Sequence, residues 1–134
     1  MTPMKARILL AAAVALGLAA PALAAASDKS PDSTRDCFLA TQWQSWKAPN
    51  DKTILVRVNT RDVWRLDLNG GSRMVTDQSN HLITNLSQSA WICHAIDLSN
   101  MKVSDGHVTE PLFVKTLTKL TPEEVAAIPQ KDRP

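Results

Sequence analysis

The sequence predicts a mainly β protein, a small antiparallel β-barrel or sandwich of about five to seven strands with one short C-terminal α-helix. Three observations carry that expectation. Apolar residues alternate at period two through the middle of the chain, Asn and Gly punctuate the runs, and one helix-start signature stands near the end.

Before the strands comes a leader. Lys5 and Arg7 precede an apolar run from Ile8 to Ala20, which Pro21 breaks before the small residues of Ala22-Leu23-Ala24. Basic head, apolar middle and small-x-small exit form the secretory pattern. The apolar run falls short of the roughly 20 residues that cross a bilayer as a helix. Residues 1–24 therefore read as a cleavable secretion signal, with cleavage after Ala26 as the alternative. The expected location is the periplasm or the exterior, with no stable membrane insertion after cleavage. Residues 25–35, rich in Ala, Ser, Asp and Pro, read as a flexible lead too poor in aliphatic side chains to pack. One β-rich domain is expected over 36–130, and a tail over 131–134.

The precursor carries 15 Lys and Arg against 13 Asp and Glu. Lys5 and Arg7 leave with the signal, so the mature chain balances at 13 of each sign. No cluster of cations survives that would suit a nucleic acid, and that partner class is excluded. Export places Cys37 and Cys93 where disulfides persist. With two cysteines the pairing is unambiguous. The absence of Cys-x-x-Cys spacing favours a structural bond over a redox pair.

The stretch Cys37 to Trp46 is expected to open the fold as a strand, weakened by Gln42, Gln44 and Ser45. In Thr53-Ile54-Leu55-Val56-Arg57-Val58, Ile54, Val56 and Val58 share a face, and Trp64, Leu66 and Leu68 do so in the next run. A short polar link makes the pair a β-hairpin. Asn69-Gly70-Gly71 supplies the following tight turn. Ser89 to Ile96 reads as a central strand, apolar on both faces. Asp105-Gly106-His107 marks a turn, and Leu112 to Leu120 a late strand. Thr121-Pro122-Glu123-Glu124 is a helix start with its Thr cap, Pro at the first position and acids behind it, and Pro129 stops the helix.

The order of these segments resembles a known family. Cys37, the Thr53–Val58 run, Trp64-Arg65-Leu66-Asp67-Leu68-Asn69-Gly70, Trp91-Ile92-Cys93 and Leu120-Thr121-Pro122-Glu123-Glu124-Val125-Ala126-Ala127-Ile128 are similar to exported bacterial proteins catalogued as a domain of unknown function (DUF6491). The resemblance spans roughly 36–128. It implies four cysteines, of which the second pair would fall near Ser72 and Leu112. Both are missing together here, which leaves Cys37 with Cys93 as the retained pair. The resemblance implies no catalytic residue, cofactor or substrate.

Candidate chemistry is sparse. His81, His94 and His107 show no His-Glu-x-x-His pattern and no second ligand at helical spacing, so they read as ordinary surface or half-buried residues. Gly71-Ser72-Arg73 lacks the second glycine of a nucleophile elbow. Glu123 and Glu124 are explained by the helix N-terminus, where negative charge is favourable. Trp64 and Trp91 read as core. Trp43 and Trp46, three apart in a polar stretch, would not share a face of a regular strand. One of them could project outward, with Gln42 and Gln44 as polar partners, although closing one end of the core is the preferred reading for both.

The expectation is an exported, disulfide-stabilised domain of unknown activity that serves as a non-enzymatic binding module of the cell envelope. Its partner is an envelope protein or a glycan, its candidate surface Trp43, Trp46, Gln42 and Gln44, and no cofactor, metal or catalytic residue is assigned. The alternative is a small periplasmic hydrolase or metal-binding protein built on the scattered histidines.

Overall fold

Residues 36–134 are described by the computed structural model, and the leader and lead, 1–35, lie outside the described residues. Nine strands form three antiparallel sheets. A two-stranded sheet pairs β1 (Phe38–Leu39) with β6 (Trp91–Ile92). The main sheet runs β2-β3-β4-β9, from Trp43–Asn50, Thr53–Val58, Asp62–Leu68 and Val114–Lys119. A third sheet orders β5 (His81–Ile83), β7 (Lys102–Ser104) and β8 (Thr109–Pro111). Among the described residues no barrel closes, and the layers are sandwich-like. The count exceeds the expected strands because five of the nine are two or three residues long, too short to leave a period-two signature.

The expected hairpin β3-β4 forms, with Val56 opposite Trp64 and Ile54 opposite Leu66. Asn59 takes a φ of 56° in its link, a left-handed conformation that Asn tolerates. Alternation then divides the side chains between two cores. Ile54, Val56, Val58, Trp64, Leu66 and Leu68 pack with Phe38, Ile92, Leu98, Met101, Val103 and Leu112 on one side of the main sheet. Leu55 and Val63 point the other way and are covered by Ile128, Leu120 and Val125. Each full burial of such an aliphatic side chain stabilises by roughly 1.5–3 kcal/mol, so the central hairpin, apolar on both faces, anchors the fold.

Helix α1 (Pro122–Ala127) starts as its sequence predicts. The Thr121 hydroxyl accepts from the Glu124 N–H at 3.2 Å, and the Glu124 carboxylate accepts from the Thr121 N–H at 2.8 Å. Residues beyond Pro129 fold back onto the domain. Arg57 Nε donates to the Pro134 carbonyl at 2.8 Å, and Arg133 Nε donates to the Ile128 carbonyl at 3.0 Å.

The expected strand over Ser89 to Ile96 is corrected: it pairs as a strand only at Trp91 and Ile92, and the chain then turns into a 3-10 segment, Ala95–Leu98. The cause is Asp97, whose Oδ2 accepts from the N–H groups of both Cys93 and His94, at 2.9 and 2.8 Å. The expected strand Cys37 to Trp46 is likewise interrupted by a 3-10 turn at Ala40–Gln42, and its second part runs on to Asn50.

Candidate functional site

The Cys37–Cys93 disulfide forms, closing a sequence separation of 56 residues. It staples β1 beside β6, where Phe38 faces Ile92 and Leu39 faces Trp91. Phe38 and Ile92 point into the core, and Phe38 lies 5.0 Å from the Trp64 ring and 6.4 Å from Trp43, edge-on to the latter. Period two then forces the neighbours outward. Trp91, read from sequence as core, is 59% exposed, because Ile92 occupies the inward position on a strand of two residues.

Around this staple stand the sequence-derived candidates. The chain enters β2 through the 3-10 turn Ala40–Gln42, whose Ala40 N–H donates to the Ala90 carbonyl at 2.9 Å, next to Trp91. Gln42 closes the turn with its side chain, Oε1 accepting from the Leu39 N–H at 2.8 Å. Trp43 lies opposite Val58 and Trp46 opposite Val56. Gln44 is the extra residue between them, a β-bulge that restores both indoles to the core face. Both tryptophans are half-buried there, and Gln44 is exposed. The structure therefore brings Gln42, Gln44, Trp43 and Trp46 together at one end of the sheet, with Trp91 across from Leu39.

Ile96 and Phe113 are also exposed, at 74% and 61%. The segment carrying Ile96 packs on β9, which Phe113 immediately precedes. Sequence reasoning missed Trp91, Ile96 and Phe113 as surface residues. A signal existed for one of them: Asp97, four residues after Cys93, is a cap residue that ends a strand reading early.

The histidines are not brought together. His81 lies on β5 opposite Ser104, His94 opens the 3-10 segment, and His107 sits at the tip of the β7–β8 turn, all three exposed. Among the described residues, no group of three or more His, Cys, Asp or Glu is placed to hold a metal ion. Ser72 is buried, and its hydroxyl accepts from the Met74 N–H at 3.2 Å as a turn cap. Two exposed carboxyls are held below the usual carboxylate range by donors around them. Asp77 takes the Ser79 hydroxyl first and then the Ser79 N–H, and Asp105 takes the N–H of Val108 and then that of His107.

A shallow groove of about 300 Å³ lies where the Asn-Gly-Gly turn meets the approach to β9, lined by Leu68 to Gly71 and Glu110 to Phe113. The Asn69 N–H donates to the Phe113 carbonyl at 2.7 Å across its base. This contact sets side by side the two segments that carry Ser72 and Leu112. A family model described as a family of unknown function matches residues 4–133. The chain belongs to DUF6491. No curated protein and no solved structure matches it. For this DUF6491 chain, then, the chemistry of the site is read from its own residues. Trp91 offers an exposed indole beside the disulfide, while Trp43 and Trp46 are half-buried on the core face of β2 and the Gln44 side chain is exposed, groups suited to apolar, CH–π and amide contact.

Proposed function

We propose that this chain is an exported binding module of the cell envelope, periplasmic or secreted, which engages an envelope protein or glycan without catalysing a reaction. Its contact surface is the one built around the Cys37–Cys93 staple, with Trp43, Trp46, Gln42 and Gln44 extended by Trp91.

The observation that carries the reading is Trp91, an indole 59% exposed on a backbone pinned two residues from a disulfide. Large exposed aromatics left in water contribute nothing to folding, whereas their burial against a partner supplies much of an interface's energy. A side chain already held on a cross-linked strand also loses little freedom on binding. The secretory leader adds the compartment, and the balance of 13 cations and 13 anions in the mature chain leaves apolar contact as the main recognition term.

The test places a photo-crosslinking residue at position 91, at position 44, or at the exposed Arg61 as a remote control, in cells of the native host. Adducts at 91 and 44 that are absent at 61, and that Trp91→Ala removes from position 44, are expected. Equal or no adducts at all three positions would sink the reading. The mass of the same purified protein reports whether the leader has been removed after Ala24 or Ala26.

A further inference from the structure

Two turns place a side-chain carbonyl immediately before a glycine, Asn69-Gly70 and Asp105-Gly106, with Gly70 at a φ of 96° and Gly106 at 93°. Such a pair can close a five-membered ring, because the glycine nitrogen sits within reach of the preceding side-chain carbon. Glycine lets the backbone rotate into that geometry, since it has no Cβ. Whether the ring closes depends on what holds the two partners.

Both partners are held at Asp105. Its Oδ1 accepts from the Val108 and His107 N–H groups at 2.7 and 2.8 Å, and the Gly106 N–H donates to the Ser104 hydroxyl at 3.1 Å. The carboxylate is turned toward 107–108 and kept ionised, and an ionised carboxylate is a poor electrophile. Neither partner is held at Asn69. Among the described residues, no hydrogen bond engages the Asn69 side chain or the Gly70 N–H, and both residues are exposed. Nothing stands within 4 Å of the place a Gly70 Cβ would occupy, so the peptide has room to swing. The flanks are fixed, upstream by the Asn69 N–H to the Phe113 carbonyl and downstream by the Ser72 N–H to the Asp51 carbonyl at 2.7 Å, and the Asn69 side chain and Gly70 N–H lie free between them. Gly71, at a φ of 68°, lies against Asp51 and Lys52, where a Cβ would come within 2.9 Å of the Lys52 side chain, so the freedom is confined to Asn69 and Gly70.

We infer that Asn69 is a site of spontaneous deamidation, in which the Gly70 nitrogen displaces the side-chain amide. Hydroxide removes the Gly70 N–H proton and the nitrogen attacks Asn69 Cγ. An N–C bond forms, the Cγ–Nδ2 bond breaks, and the NH2 group leaves as ammonia with one proton from water, which regenerates the hydroxide. Water then opens the resulting succinimide at one of its two carbonyls, giving aspartate or isoaspartate at that position. The net change consumes one water and releases one ammonia, with no oxidant or reductant. The product sets a new carboxylate in the groove that Glu110 already lines. The isoaspartate form also lengthens the main chain by one carbon beside the Asn69–Phe113 bond. The groove thus becomes more acidic as the protein ages.

The test incubates the oxidised, folded protein at mildly alkaline pH and digests it with trypsin. Cleavage after Arg65 and Arg73 isolates peptide 66–73, and cleavage after Lys102 and Lys115 isolates peptide 103–115. Peptide 66–73 is expected to show the mass change of an amide becoming an acid, within about tenfold of the rate of the same peptide free in solution. An isoaspartyl methyltransferase should label it, whereas peptide 103–115 stays unlabelled. Asn69→Gln, whose ring closure needs six atoms, should abolish the signal while the thermal midpoint stays unchanged. A folded protein that keeps peptide 66–73 intact while the free peptide converts would overturn the inference. Equal labelling of peptide 103–115 would also overturn it, since the hydrogen bonds at Asp105 would then be irrelevant.

Discussion

Trp43 and Trp46 point to the same face of β2, although three positions separate them. Trp43 stands opposite Val58 and Trp46 opposite Val56, while Ser45 is already paired with Arg57. Gln44 is thus an unpaired insertion, and the strand resumes its alternation one residue out of phase. The bulge lets one strand contribute Trp43, Trp46 and Ala48 to a single core surface. Gln44→Ala keeps the extra residue and should change stability by less than about 0.5 kcal/mol. Trp46→Ala removes a half-buried indole and should cost about 2 kcal/mol. Deleting Gln44 removes only the inserted residue and leaves Trp43, Ser45 and Trp46 in strict alternation opposite Val58, Arg57 and Val56, so both indoles keep the core face and the cost should stay below that of Trp46→Ala. Urea midpoints of the three variants decide it, and a deletion costlier than Trp46→Ala would refute Gln44 as the inserted residue.

The disulfide carries a separate prediction. A closed loop with a separation of 56 residues restricts the unfolded chain by about 4 kcal/mol on the chain-entropy estimate. That is a large share of the roughly 5–15 kcal/mol that holds a domain together. Cys37→Ser with Cys93→Ser should therefore lower the thermal midpoint by more than about 10 °C. A loss of a degree or two would mean that β1 and β6 stay docked through Phe38 and Ile92 alone.

The segments that were legible in the sequence are those whose local chemistry agrees with the tertiary outcome. The β3–β4 hairpin is legible because Ile54, Val56, Val58, Trp64, Leu66 and Leu68 all alternate onto the main core, and the capping box of Thr121 and Glu124 is a purely local device. The third sheet was illegible as strands: its tight turn at Gly106 was visible, but three-residue strands such as Lys102–Ser104 hold too few side chains to show a period. Trp91 was misread for a different reason. Hydrophobicity states what a side chain would gain by burial and is silent on which of two alternating positions faces the core. Ile92 took the inward one. The candidate surface of Trp43, Trp46, Gln42 and Gln44 was named from sequence alone, but the bulge at Gln44 depends on partner register and leaves no mark in one strand's sequence.

Trp91 and Trp64 should separate binding from folding. Trp64 is 3% exposed against Phe38, and Trp64→Ala should cost about 3–5 kcal/mol. Trp91→Ala removes an exposed ring and should stay within about 0.5 kcal/mol of the parent, while crosslinking at position 44 is lost. Calorimetry on both variants alongside the crosslinking experiment makes the comparison. A strongly destabilised Trp91→Ala would assign that indole to the fold and withdraw it from the proposed surface.

Asp77 and Asp105 set the acid side of the stability curve. Each carboxyl has its folded pKa lowered from the ordinary 3.8 by the donors it accepts from, the Ser79 hydroxyl foremost for one and the Val108 N–H for the other. A lowered folded pKa means that the unfolded chain binds the proton first on acidification. The contribution of both groups is thus complete above 3.8 and is lost as pH falls through their lower folded values. Both side chains are exposed, so solvent and salt screen the effect and it should shrink at high ionic strength. The double variant Asp77→Asn with Asp105→Asn keeps a side-chain oxygen as acceptor at each turn and removes the titration. Its thermal midpoint should fall less steeply than the parent's between neutral pH and strong acid. Parallel curves for the two proteins would show that these turns contribute nothing through their charge.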